Sequence, residues 1–448
     1  MAITGGTKFS YNVGQQTVDA GVSTRPDTRR LFNFGDKVAE LAPEESPFFV
    51  YLNKVSKRAT DDPVFRFLEN RSKIDWTSRN FSITTGGSAI GVSRTADSVY
   101  NFVVDDGTSA SIDWLIKGMV FNIATTAIDN MMVRIESAPV DAGATTTFSG
   151  KVISFSPGTG GDAIADDDAC QVIGTSFGEG SGSPDTWSND IEDDYGYTQI
   201  FKTAAEMTNT GIATNYRGYA NEWDRIWNLK LREHKVDIER AMLFSQRARS
   251  SNVQYSEGLV GHILKNGTAA ASGALSYTSG KPYLVSGDQA DLTYDDLLKD
   301  LEVVFDPARG GGTSKLCLAS LPVITFFNRM GSTGFLAQST TSSAYQVNME
   351  QVTGSFGHKV TQVDTIHGTM MIVKEPLFRG ISSGFMLCAD MSKLAYRPLV
   401  GNGLNRDTHI ITNVQQADED LRKDMILTEA GLEIAIPETH LLYNFTDL

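Results

Sequence analysis

What this chain of 448 residues has little of already narrows its class. Its three cysteines, Cys170, Cys317 and Cys388, are scattered and include no Cys-x-x-Cys pair. They cannot build a disulfide framework, and they suit a reducing compartment. No apolar run approaches the roughly 18 residues that a membrane span needs. The opening Met1-Ala2-Ile3-Thr4-Gly5-Gly6 lacks the basic end and apolar stretch of a secretory signal. The six histidines (His234, His262, His358, His367, His409 and His440) fall at no metal-ligand spacing. Basic residues are scarce as well: 39 Lys and Arg stand against 54 Asp and Glu, a formal charge of −15. The nearest thing to a basic cluster is Lys54, Lys57 and Arg58. A surface of that balance repels a phosphate backbone, which excludes sequence-specific DNA reading.

What remains is an ordinary folded protein by composition, 41% apolar and 21% charged. Its length allows roughly two to four domains. The most informative feature is an aromatic stripe. Tyr216, Tyr219, Trp223, Ile226, Trp227, Leu231, Ile238, Ala241 and Met242 recur at three- and four-residue steps. That period predicts one long helix over Tyr216–Ala248, N-capped by Thr214 and roughly 50 Å long at 1.5 Å per residue. Trp223 and Trp227 are expected to serve the subunit's own packing.

Ahead of the helix, residues 1–45 read as a polar arm. Short strand-like runs follow at Phe48–Leu52, Val64–Leu68, Ser98–Val104, Ser111–Trp114, Met119–Ile123, Met131–Glu136, Lys151–Phe155 and Gln171–Ile173. Turn residues separate them in the pattern of an all-β module. Beyond the helix, a short helix is expected at Glu257–Leu264 and a Gly/Ser/Ala-rich loop through Gly287. Thr293-Tyr294-Asp295-Asp296 has the form of a capping box and starts a helix to about Phe305. Lys315–Ala319 reads as a buried strand, after which Ser320 caps a helix ending near Gly331. Residues 331–345 are Ser/Thr-rich. Strands are expected at Lys359–Asp364, Thr369–Lys374, Phe385–Asp390, Leu394–Pro398, Asp424–Leu427, Gly431–Ile436 and His440–Tyr443. There is no internal repeat. The fold class is α+β, with sheets and a few segregated helices.

Three motifs bear on chemistry. Gly380-Ile381-Ser382-Ser383-Gly384 has the letters of a hydrolase nucleophile elbow, but Phe385-Met386-Leu387 after it reads as a strand where a helix is required. Gly310-Gly311-Gly312-Thr313-Ser314-Lys315 has the letters of a phosphate loop, yet its lysine opens a strand. The acidic runs Asp166-Asp167-Asp168 and Glu192-Asp193-Asp194 lack the spacing of a calcium loop and read as solvated loop surface. No catalytic, cofactor-binding or metal residue is assigned, and no cofactor is expected.

Several segments carry a family resemblance. Ser46-Pro47-Phe48-Phe49 before the β excursion, Tyr197-Thr198-Gln199-Ile200-Phe201 before the helix and Lys235–Leu243 at its end are the main ones. Glu257-Gly258-Leu259, Phe356-Gly357-His358 and the closing Leu432–Tyr443 complete the set. In this order they resemble the major capsid proteins of tailed bacteriophages, with the Hong Kong 97 fold. The resemblance implies an N-terminal arm at 1–45 and an extended loop at 46–207 bearing a β-rich insertion at about 100–185. The spine helix and first part of the peripheral domain would occupy 208–311. An axial domain would take 312–375, and peripheral strands with the C-terminus 376–448. It further implies a non-enzymatic protein of the virion, made and assembled in a bacterial cytoplasm. There it would self-assemble into hexamers and pentamers of an icosahedral head. Its partners would be itself, portal, scaffold and decoration proteins, with packaged DNA touched only non-specifically and no membrane. Subunit crosslinking, known in some members of the fold, needs a loop lysine and a distant asparagine; the excursion has Lys57 and Lys73, but no residue is matched to that chemistry and the question stays open. Three alternatives stand beside this reading: an encapsulin-like nonviral shell of the same fold, a hydrolase using Ser382, and another virion part such as a tail or fibre protein, against which the lack of repeats and heptads counts.

Overall fold

The computed structural model describes residues 47–446 apart from 56, 71–78, 91–94, 108–110, 125–129, 156–163, 187–190, 217–220, 279, 289–291, 308–309, 328–348 and 354–358. The chain divides into two compact units. One comprises Met1–Glu44, Thr203–Glu233 and Ile410–Met425, and the other Glu45–Lys202, His234–His409 and Ile426–Leu448.

In the second unit the β module is a closed barrel. Val99–Asp105, Asn80–Ile83, Ala169–Thr175, Met119–Ala124, Asn130–Ile135 and Thr146–Phe155 pair in that order, and Val99–Asp105 pairs again with Thr146–Phe155. Every pairing in the ring is antiparallel. Closure pairs each of these six strands on both sides, and the short Val140–Asp141 adds to Thr146–Phe155 outside the ring. Inward positions alternate with outward ones, and the centre is a knot of rings: Phe121 lies edge-on to Phe81, Phe102 and Phe148, while Phe102 and Phe148 stack at 5.7 Å. The close approach of the strands needs Gly150, where a Cβ would sit 2.7 Å from Val133 and 2.8 Å from Phe102. Residues 111–114, expected as a strand, form a loop instead. It plugs the barrel with Ile112 and Trp114 and is tied by Thr146 Oγ1, which accepts from Ile112 N–H at 2.7 Å. The side-chain tie and two buried apolar anchors replaced the pairing that a strand would have needed.

A two-stranded antiparallel ribbon, Val64–Glu69 with Glu192–Tyr197, leads to and from the barrel. The acidic run Glu192–Asp194 therefore sits on a strand, correcting its reading as a loop. Ribbon pairing outweighed its poor strand propensity, and Asp193 and Asp194 are neutralised by Arg66 at 2.9 Å and Arg247 at 2.8 Å. At the far end of its strand, buried Glu69 accepts the N–H of Ile436 at 2.8 Å. That bond helps hold Ile436, a β-branched residue, at a left-handed φ of 46°.

The largest sheet has eight strands in the order Thr268–Ala270, Tyr283–Asp288, Leu441–Thr446, Phe385–Ala389, Ser314–Ala319, Thr369–Lys374, Lys359–Asp364 and Met349–Thr353. Its central strands are apolar at consecutive positions because helices cover both faces. On one face Leu316, Leu318, Phe385, Leu387 and Leu442 meet Phe48, Phe49 and Leu52, Ile238 and Met242, and Leu259 and Ile263. On the other face Cys317, Met386, Cys388 and Tyr443 meet Leu297, Leu301 and Val304 of helix Tyr294–Phe305 and Val323 and Phe327 of helical residues 321–327. Both expected caps are in place: the Thr293–Asp296 capping box, and Ser320, whose Oγ lies 3.4 Å from Val323 N. A further sheet orders Gln199–Thr208, Leu421–Ile434 and Leu394–Pro398.

Four expectations are corrected here. Phe48–Leu52 lies in a helix, Pro47–Val55, since a short apolar run fits either period and Pro47 suits a first turn. The long helix is shorter than expected. Thr208 caps a separate turn of helix, Asn209–Ala213, and Thr214 closes that turn. The main helix is Glu222–Phe244, 23 residues and so roughly 35 Å, begun by Asn221, whose Oδ1 accepts the Trp223 N–H at 3.1 Å. Within the first unit Trp223 is buried, stacks on Trp227 at 6.3 Å and lies under the Arg422 guanidinium at 4.5 Å, while Tyr216 is 48% exposed. The Gly/Ser/Ala-rich loop contains the strands Thr268–Ala270 and Tyr283–Asp288, stabilised by parallel pairing that local composition does not reveal. Asp424–Leu427 and most of Gly431–Ile436 form one strand, Leu421–Ile434. Residues 331–345 lie outside the described residues.

Candidate functional site

The sequence motifs do not assemble into a reaction centre. Ser382 ends a single 3-10 turn, Gly380–Ser382, and strand Phe385–Ala389 follows. Its backbone N–H bonds to the Arg379 carbonyl at 3.3 Å, and among the described residues no histidine bonds its hydroxyl. The glycine run before Lys315 is a close crossing: a Cβ on Gly311 would lie 2.7 Å from the Val304 carbonyl at the end of helix Tyr294–Phe305. The histidines are dispersed. His234 Nε2 lies 2.8 Å from Thr428 Oγ1, His262 Nδ1 2.8 Å from Glu257 Oε1, and His409 Nδ1 2.8 Å from the Asp407 carbonyl. His358 falls outside the described residues. Asp168 accepts the Ala165 N–H at 2.7 Å in a tight turn. Among the described residues no cluster of His, Cys, Asp or Glu could hold a metal ion. Of the two lysines considered for crosslinking, Lys57 is ion-paired with Asp407 and Lys73 lies outside the described residues.

Two buried polar centres do stand out, both in the second unit. In the first, Lys315 Nζ donates to the Thr439 carbonyl at 2.8 Å and lies 3.8 Å from Asp390 Oδ2. Asp390 also accepts the Gly312 N–H at 3.1 Å and the Ser392 hydroxyl at 2.7 Å. His440 Nδ1 accepts the Asp390 backbone N–H at 3.2 Å, so the ring is neutral with its proton on Nε2. Burial, with Lys315 nearby, pushes His440 down to about 3. Burial also lowers Lys315, while Asp390, which burial alone would raise, is held low by Ser392 and Lys315. The centre locks the glycine crossing, the turn after Ala389 and the turn Pro437–Thr439 together.

The second centre is a carboxyl pair. Glu239 on the long helix accepts the Phe48 N–H at 2.7 Å, Glu375 accepts the Leu377 N–H at 3.1 Å, and the two side chains hydrogen-bond. Two carboxyls can bond side by side only if they share a proton. Burial pushes Glu375 up to about 7, against the lowering effect of its hydrogen bonds with the Leu377 N–H and with Glu239. Sequence reading missed both centres, because their members lie far apart along the chain and each is an ordinary residue locally.

The outer surface is the remaining candidate. Leu68, Ile191 and Tyr195 of the ribbon region are 72%, 57% and 40% exposed, and on the barrel Val140 and Ile173 are each 61% exposed. Ile366 and Ile381 project from turns, Ile381 almost wholly in solvent. Large apolar side chains left exposed in this way have no core of their own to enter.

The profile of the SU10 major capsid protein family matches residues 5–447. No curated protein matches. Among solved structures the chain is similar to the capsid of a native GTA particle, at 9% identity and TM-score 0.43 over 96% of this chain and 100% of that one. It is similar to a Gordonia phage Cozz structure at 12% identity and TM-score 0.43, over 98% and 99% of the two chains. The holo-SrpI encapsulin complex from Synechococcus elongatus is similar at 12% identity and TM-score 0.38, over 57% of this chain and 77% of that one.

Proposed function

Because the chain belongs to the SU10 major capsid protein family, we propose that it builds the icosahedral head of a tailed phage, assembling as hexamers and pentamers around double-stranded DNA. Its role is structural and non-enzymatic: it is a major capsid protein of a phage-type shell. The observation that carries the reading is the family match across nearly the whole chain, ribbon and barrel included.

The parts then take these roles. Residues 1–45 are the arm and 46–207 the extended loop, with the barrel as an added outward-facing domain. The long helix is the spine, 312–375 the axial domain that meets its copies at capsomer centres, and 376–448 the peripheral strands. Shell contacts are repeated hundreds of times and can each be modest. The exposed apolar side chains of the ribbon and turns suit such contacts. A net charge of −15 keeps the wall from adhering to packaged DNA. Portal, scaffold and decoration proteins would complete the particle, assembled in the host cytoplasm. An encapsulin-like compartment is disfavoured by the barrel, which such a shell does not need, and a hydrolase by the surroundings of Ser382.

Negative-stain electron microscopy of the purified chain, beside a sizing column, tests this. Rings of five or six, or closed shells tens of nanometres across, are expected. A stable monomer at high concentration would overturn it.

A further inference from the structure

Cys317 and Cys388 read as unrelated thiols in the sequence, 71 residues apart. The fold sets them face to face. Ser314–Ala319 and Phe385–Ala389 are adjacent antiparallel strands, and Cys317 pairs directly with Cys388 in their register. The two sulfurs lie 2.9 Å apart, and both residues are fully buried on the sheet face covered by helix Tyr294–Phe305. Directly opposed residues in an antiparallel pair have Cα atoms about 4.5–5.5 Å apart. That falls inside the roughly 4.4–6.8 Å range that disulfides span. The strands therefore need no rearrangement for the sulfurs to close to a bond of about 2.05 Å.

We propose that Cys317 and Cys388 form an intrachain disulfide when the chain meets a disulfide oxidant outside a reducing cytoplasm. With oxidised glutathione, the thiolate of one cysteine attacks a glutathione sulfur, forming a mixed disulfide and releasing one glutathione thiolate. The second cysteine's thiolate then attacks the protein-bound sulfur, closing the Cys317–Cys388 bond and releasing the second glutathione. Two protein thiols lose two protons and two electrons, and one oxidised glutathione becomes two reduced ones. Because both sulfurs are fully buried, and burial raises the Cys317 thiol, the bond closes during folding or sheet opening, not on the closed sheet. Cys170, buried alone in the barrel, is the internal control. This chemistry does not depend on the shell reading.

The test refolds the full chain from denaturant in oxidised and reduced glutathione mixtures, alkylates in denaturant and maps peptides by mass spectrometry. A second preparation comes from expression in a thioredoxin-reductase-deficient host, so that failed refolding cannot mask the result. The expected product is one linked peptide pair joining Cys317 to Cys388, two hydrogens lighter than the reduced pair, with Cys170 alkylated throughout. The thermal midpoint of the oxidised chain should exceed that of the reduced chain by several degrees. Neither the link nor the increment should occur in Cys317→Ser or Cys388→Ser. Complete alkylation of both cysteines in both preparations, or links that involve Cys170 instead, would overturn the proposal.

Discussion

Replacing Glu375 by Gln should stabilise the protein at alkaline pH and leave it nearly unchanged at acidic pH. Glu375 is buried against Glu239, and burial pushes it from an ordinary 4.5 up to about 7. Its folded value lies above its unfolded one. Its favourable contribution is therefore fully present below about pH 4.5 and is lost as pH rises through about 7. A displacement of this size, at 1.36 kcal/mol per unit, is roughly 3 kcal/mol. Glutamine keeps the shape, accepts through its amide oxygen and donates through its amide nitrogen, and has no proton to lose, so it can satisfy Glu239 in either protonation state. Asp300, which burial raises to about 6, and His440, lowered to about 3, also tilt the profile, in opposite directions. Both are common to the two proteins and cancel in the difference. Thermal midpoints of wild type and Glu375→Gln, measured at pH 4 and pH 8, isolate the effect. The curves should nearly coincide at pH 4 and separate by several degrees at pH 8, the variant being higher. A separation equal at the two pH values would refute the shared-proton account.

Two more substitutions probe packing. Trp223→Ala removes a buried ring stacked on Trp227 and covered by Arg422, a loss of about 3–5 kcal/mol, and should leave insoluble protein in a fractionation assay. Soluble, well-folded monomers that cannot assemble would instead place Trp223 at a subunit contact. Gly150→Ala forces a Cβ into Val133 and Phe102 and should cost about 1–3 kcal/mol. Gly174→Ala, where nothing lies within 4 Å, is the matched control in the same thermal scan, and equal midpoints for the two variants would contradict the packing argument.

Much of this fold could be read from local pattern. The capping box at Thr293 and the strands Lys359–Asp364, Thr369–Lys374 and Leu394–Pro398 fall where periodicity and caps put them. The failures share one cause, which is information held in distant partners. Phe48–Leu52 is apolar at every position but Val50 and Tyr51 are only half buried, a helix pattern too short to separate from a strand. Val140–Asp141 and Thr268–Ala270 are strands only because a neighbour pairs with them. Barrel closure is invisible in sequence, since it rests on Val99–Asp105 finding Thr146–Phe155 as a second partner.

Apart from Phe356–His358, which lies outside the described residues, the segments that carried the family resemblance converge on one place in the fold, and this explains why they were informative. Phe48, from the motif at Ser46–Phe49, gives its N–H to Glu239, from the motif at Lys235–Leu243. Gln199, from Tyr197–Phe201, accepts the Ser256 N–H at 3.1 Å, next to Glu257-Gly258-Leu259. Ser256 Oγ accepts the Leu432 N–H at 3.1 Å, at the start of the closing segment. Gly258 in turn donates to the Ser245 carbonyl at 2.9 Å, where the long helix has just ended. Each bond joins segments distant in sequence and satisfies a backbone group that burial would otherwise penalise by about 1–3 kcal/mol. The requirement falls on backbone geometry at a few junctions, so the residues there are constrained while the strands between them need only be apolar. For a protein whose function is to present a shape, these junctions take the place of a catalytic signature.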